Sequence, residues 1–269
     1  MRLWRSRGLA LALRAAMVLS AVAALLPTAA FAQTDEIQVY DGEIADRGVF
    51  NLTWHNNFTF SGARQAENPG GIVPEHSLNG VTEWAYGVTD WFEAGLYMPL
   101  YTVTRNHGLL IDGFKLRMLF VSPGAAERRF FYGANFEFSF NTRHWNPDRY
   151  TSEIRPIVGW HLGRFDVILN PILDSSYKGG LSQLQFVPAA RLAWNVSKVW
   201  AIAAEEYADL GTLHRFERSS EQSHQLWAVV DHHGPSFTLE AGLGFGMTGA
   251  SDHRVVKLIV EHDFNSPAR

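Results

Sequence analysis

The chain has 269 residues, 46% of them hydrophobic and 19% charged, which excludes a disordered polymer. It contains no cysteine, so neither a disulfide framework nor thiolate chemistry is available. Its net charge of −4 argues against a nucleic-acid partner.

Residues 1–32 read as a secretory signal peptide. Arg2, Arg5, Arg7 and Arg14 form a basic start, Ala15 to Leu26 an apolar stretch too short to span a bilayer comfortably, and Ala30-Phe31-Ala32 a cleavage pattern with Gln33 next. Removing this leader takes away four arginines and no acids. That leaves 19 basic against 27 acidic side chains, a net charge of −8. Beyond Ala32 no apolar run is long enough for a helical span, and mean hydropathy is −0.10. A transmembrane barrel has this average, because only alternate residues face lipid. The expected location is the bacterial outer membrane.

Residues 33–47 are acidic and lack alternation. They read as a periplasmic N-terminal segment, either a tether or a partial plug of the barrel mouth. From residue 48 to 264 the dominant pattern has a period of two, as a strand between lipid and water requires. In the first run Phe50, Leu52, Trp54, Phe58 and Phe60 alternate with Asn51, Thr53, His55, Asn57 and Thr59. Further runs lie near 78–88, 91–103, 112–121, 130–141, 152–162, 165–174, 181–194, 199–209, 223–231, 236–248 and 253–264. In the third, Leu100 falls on the apolar face. In the ninth, Glu205 and Glu206 are adjacent and one must break the pattern. In the tenth, either Leu226 or Trp227 can face lipid.

The expected fold is therefore all-β, an antiparallel up-and-down transmembrane barrel of about twelve strands. Long links near 61–76, 104–111, 142–150, 175–180, 210–222 and 249–252 alternate with tight turns, the rhythm of external loops and periplasmic turns. A soluble sandwich with its aromatic stripes turned inward shares the periodicity. The export signal and the aromatics at strand ends favour the barrel. Tyr86, Trp91, Trp194 and Trp200 flank two similar polar turns and suit the headgroup level. The last strand ends on Phe264, as does the C-terminal signal read by the outer-membrane assembly machinery, although the tail 265–269 follows it. His262 takes an outward slot near that end.

If the aromatic face meets lipid, the opposite face lines a lumen. The charged candidates are Glu83, Glu93, Lys115, Arg117, Glu137, Arg155, Arg191, Glu240, Lys257 and Glu261. Glu137 falls roughly opposite Lys115, as a cross-strand ion pair would. These charges either brace the wall in pairs or form a selectivity surface.

The segments Glu36-Ile37-Gln38-Val39-Tyr40-Asp41, Gly48-Val49-Phe50-Asn51-Leu52, Trp84-Ala85-Tyr86-Gly87-Val88-Thr89-Asp90-Trp91-Phe92-Glu93-Ala94-Gly95-Leu96 and Glu205-Glu206-Tyr207-Ala208-Asp209-Leu210-Gly211 carry a resemblance. They resemble outer-membrane barrel proteins grouped as the MetA-pathway-of-phenol-degradation family, described as transporters. The resemblance implies a channel or facilitator passing small solutes, with hydrophobic or aromatic compounds as the cargo, and it transfers no substrate residues.

The residues leave two other roles open, a non-conducting barrel with a structural or loop-mediated binding role and a lipid-modifying barrel enzyme. No nucleophile elbow of the Gly-x-Ser-x-Gly type occurs, and His232-His233 point apart on a strand end. No catalytic residue, metal site or cofactor is expected.

Overall fold

The computed structural model describes residues 36–265. The leader read over residues 1–32 and the tail beyond Asn265 lie outside the described residues. The strands are β1 (Phe50–Ser61), β2 (Leu78–Gly87), β3 (Phe92–Thr104), β4 (Gly108–Val121), β5 (Phe130–Asn141) and β6 (Tyr150–Leu162). Then follow β7 (Phe165–Asn170), β8 (Leu173–Ser175), β9 (Gln185–Phe186), β10 (Ala189–Asn195), β11 (Trp200–Asp209), β12 (Gly211–Thr212), β13 (Arg215–Phe216), β14 (Ser223–His233), β15 (Thr238–Gly246) and β16 (Arg254–Asp263).

Every pairing is antiparallel. Each strand from β1 to β6 pairs with the next, β7 with β10, β10 with β11, β11 with β14, β14 with β15, β15 with β16, and β16 returns to β1. The sheet therefore closes on itself and has no edge. Strands β8, β9 and β12 prolong their neighbours β7, β10 and β11, giving a closed antiparallel barrel of twelve staves among the described residues. The breaks between β7 and β8 and between β9 and β10 have a chemical cause. Pro171 and Pro188 sit there without an N–H for the ladder. The carbonyls still work, Ile172 O accepting from Val187 N at 3.0 Å and Pro188 O from Ala208 N at 3.0 Å.

The faces are those of a membrane protein. In β1 the inward Asn51, Thr53, His55, Asn57 and Thr59 are buried, while outward Phe50, Trp54 and Phe60 are exposed. Trp84 is 46% exposed and Leu192 53%. A soluble sandwich would have buried these groups, so the inward-aromatic alternative is overturned. The barrel wall also settles two ambiguous runs. Glu205 points in and is buried, with Glu206 outside; Trp227 points in and is buried, with Leu226 outside.

Two expectations are corrected. Leu100 does not face lipid; it is fully buried with Tyr97 and Val81. Between the Glu83–Tyr97 and Val81–Leu100 pairs, β3 carries Met98 and Pro99 against Thr82 alone, and this bulge moves every later residue to the other face. The link expected at 104–111 is only Arg105-Asn106-His107, because Leu109, Ile111 and inward Asp112 continue the alternation of β4.

Candidate functional site

The inner face carries three groups of ion pairs, built from alternate residues of neighbouring strands. In the first, Arg117 on β4 reaches Glu83 at 2.8 Å and also pairs with Glu93. Its side chain lies over Gly95, the residue opposite it on β3, where a Cβ would stand 2.8 Å from the guanidinium Nε. His55 Nε2 lies 3.2 Å from the same Glu83.

The second group surrounds Arg155 on β6. Its Nε donates to Glu153 Oε1 at 2.7 Å and its Nη2 to Glu153 Oε2 at 3.1 Å, a two-pronged pair. Its Nη1 reaches Glu36 at 3.3 Å and the Gln38 carbonyl at 3.0 Å. Lys115 pairs with Glu137 at 3.2 Å. That contact is diagonal, since Arg117 is opposite Glu137 in the register and Lys115 is opposite Ser139.

In the third group Arg191 on β10 pairs with Glu205 and Asp231 and reaches Glu240 at 3.4 Å. Lys257 on β16 donates to Glu205 at 2.5 Å, lies 2.5 Å from Glu240, and donates to the Ile37 carbonyl at 3.1 Å.

Nine of the ten charged residues singled out from sequence thus meet in ion pairs. The tenth, Glu261, instead accepts a hydrogen bond from Asn51 Nδ2 at 2.7 Å. Sequence reasoning missed Glu36, Glu153, Glu205 and Asp231 as members. Glu153 shares the phase of Arg155 and was legible; Glu205 and Asp231 lay in the two ambiguous runs.

Residues 36–47 run inside this ring. The Tyr40 N–H donates to Asn170 Oδ1 at 2.7 Å and Asn170 Nδ2 donates to the Tyr40 carbonyl at 3.0 Å. The Tyr40 hydroxyl lies 2.5 Å from that of Tyr97, and the Arg155 guanidinium stacks 4.4 Å from the Tyr40 ring centre. The Ala45 N–H donates to Glu93 Oε2 at 2.5 Å. Val39 and Tyr40 pack with Leu119, Phe131, Ile157 and Ile168, and Ile37 with Trp227, Val229 and Val255. Phe131 lies between two glycines: a Cβ on Gly159 of the wall would stand 2.0 Å from its ring, and one on Gly42 of the segment 2.8 Å.

The other end of the lumen is crossed by the loop between β1 and β2. Its Ala63 N–H donates to Asp252 at 3.0 Å, and its buried Ile72 donates to the His144 carbonyl, four staves away, at 3.2 Å. The His144 ring is held by Asp112 at 2.8 Å, and Thr142 shares the same ring nitrogen at 3.1 Å. Among the described residues no cluster of His, Asp or Glu could hold a metal ion.

Tyr86, Trp91, Trp194 and Trp200 are all exposed, at the end of the barrel where the turns are short. Stacking extends this band, with Trp91 on Phe120 at 6.2 Å and Trp84 on Phe264 at 6.5 Å. His262 sits there too, its Nδ1 2.6 Å from the Ser236 carbonyl and its ring edge-on to Phe264.

An apolar, aromatic-banded exterior around a charged and occupied interior defines a β-barrel of the outer-membrane class. The fold is similar to that of an outer membrane channel from Pseudomonas putida F1, with a TM-score of 0.57 and 12% identity over 85% of this chain and 100% of that one. It is also similar to the KdgM porin solved with disordered oligogalacturonate, with a TM-score of 0.50 and 8% identity over 80% of this chain and 99% of that one. No family model matches the chain, and no curated protein matches it.

Proposed function

We propose that the chain is an outer-membrane channel for the passive passage of small solutes, gated by its own N-terminal segment. The observation that carries this is the nature of the bonds holding residues 36–47. They are hydrogen bonds, ion pairs and side-chain packing from a segment that contributes nothing to the closed ladder of the wall. The segment can therefore leave while the barrel stays intact, and its departure uncovers a charged lining suited to a selective polar path. The fold it shares with a channel and a porin supports the reading. The resemblance to the MetA-pathway family supports aromatic compounds as cargo.

The test is planar-bilayer conductance with liposome swelling in sugars and aromatic acids, on the full chain and on a chain lacking residues 36–45. The channel reading expects small, intermittent currents from the full chain and steady ones from the deletion. Absence of current and of flux from both would sink it. That outcome favours the second reading, a non-conducting structural barrel, which draws on the residues that occupy the interior, Tyr40 against Asn170 and Tyr97 and Ile72 against the His144 carbonyl. We also propose that the closing strand β16 is what the assembly machinery reads. Phe264, at its end, donates its N–H to the Phe50 carbonyl at 2.9 Å.

A further inference from the structure

We propose that the barrel wall holds one anionic phospholipid of the periplasmic leaflet, its acyl chain in a groove over β10, β11, β14 and β15 and its headgroup at Arg164 and Lys198. The groove has a volume of about 780 Å³. Its floor consists of Ala204, Ala228 and Ala241, and larger outward side chains such as Leu192, Trp194 and Leu243 stand around it. The floor is continuous because Ala204 is directly opposite Ala228 and lies in one row with Leu192 and Leu243. The neighbouring inward residues Ala193 and Val229 are buried, so the groove opens to the lipid side. Leu192, Trp194, Ile202, Val230 and Leu243 border the three methyl groups, which leave room between them for a hydrocarbon chain.

Direction along the wall comes from charge. At the short-turn end the groove begins beside Trp194 and Phe165. Arg164 and Lys198 lie on the two turns there, both exposed, and neither is ion-paired among the described residues. The turns are tied side by side, the Asn195 N–H donating to the Arg164 carbonyl at 2.8 Å. The nearby acid, Asp166, is already held by His161 at 2.6 Å and by Asn195 at 2.6 Å. Beyond the opposite end of the groove lies an outward carboxylate, Glu206, which pairs with His224 at 3.0 Å. A lipid with a negative headgroup therefore fits in one orientation only. Its phosphate sits at the cationic turns, with Trp194 at headgroup level. From the Trp200 level to Ala204 is four residues, roughly 13 Å of strand, within the half-thickness of a hydrocarbon core of about 30 Å.

The experiment is native mass spectrometry of the folded chain in detergent with equimolar phosphatidylglycerol and phosphatidylethanolamine. Heat-modifiable gel migration verifies that each variant is folded. The expected result is a single retained phosphatidylglycerol. The paired variant Arg164→Gln/Lys198→Gln is expected to lower its preference by roughly 30-fold, about fivefold for each cation near the surface. Ala228→Phe, which fills the floor and leaves the turns untouched, is expected to lower retention of both lipids. Equal retention of the two lipids by the native chain would overturn the proposal. So would a preference unchanged in the paired variant, or an Ala228→Phe chain that retains lipid as before.

Discussion

Tyr40 and Asn170 exchange two hydrogen bonds, the Tyr40 N–H donating to Asn170 Oδ1 at 2.7 Å and Asn170 Nδ2 to the Tyr40 carbonyl at 3.0 Å. A side-chain amide here does for one residue what a neighbouring strand does for a whole segment. Asn170 is the last residue of β7, just before Pro171 interrupts the ladder. Replacing it by Leu leaves a buried backbone N–H and carbonyl unpaired, at a cost of about 1–3 kcal/mol for each. The wall has its own closed ladder, so the cost falls on seating of the segment. Asn170→Leu is expected to raise the open fraction in single-channel recordings by at least tenfold with little change in the temperature at which gel migration shifts.

Arg155 behaves differently, because it braces wall and segment together. Arg155→Met leaves Glu153 and Glu36 buried without their cation, a change that costs roughly 3–5 kcal/mol. Arg155→Lys keeps the charge but cannot supply the two-pronged contact to Glu153, so it is expected to recover only part of the loss. Urea unfolding in lipid vesicles, followed by tryptophan fluorescence, measures both. A lysine variant as stable as the native chain would contradict the role given to the fork.

Seating of the segment is expected to depend on pH through Glu36. Burial raises its carboxyl to about 7, against the opposing pull of Arg155, with Glu137 nearby adding to the rise. The seated state therefore holds the proton more tightly than the released one. Its stabilising contribution is complete below the ordinary carboxylate range and is lost as pH climbs through about 7. Conductance is expected to increase from pH 6 to pH 8. Glu36→Gln, which stays neutral and can still accept from Arg155, is expected to remove that increase.

The Phe131 ring gives a purely steric test. Gly159→Ala places a methyl group where the ring now lies, and the ring already fills the space over Gly42 on its other side. The substitution is expected to cost about 1–3 kcal/mol. The pair Gly159→Ala/Phe131→Leu is expected to recover most of it, measured by the same urea unfolding.

The staves were legible from sequence because lipid on one side and a polar interior on the other impose a period of two. Phe50 to Phe60 shows this over one whole strand. Where a strand departs from its period, alternation alone fails: Pro99, which has no N–H for the ladder, marks an interruption in β3, but the period of two carries Leu100 onto the wrong face. The charged lining was legible wherever its strand was, which covers Arg117, Arg155 and Lys257. It was lost at Glu205 because two carboxylates stood side by side, and at Asp231 because Trp227 and Leu226 are equally apolar. The path of residues 36–47 was illegible for another reason. Their partners are Glu93, Arg155, Asn170 and Lys257, contributed by four separate strands, three of them more than a hundred residues along the chain, and no local pattern encodes such contacts.

Lys257 lies on the last stave, and its ammonium group holds the carbonyl of Ile37 near the start of the described chain. That bond waits for the arrival of the final strand, which is also the strand that joins β1 and completes the cylinder. The segment at the start of the described residues is thus fastened by the stave that closes the cylinder. Under the proposed gating, completing the wall and seating its stopper become a single event.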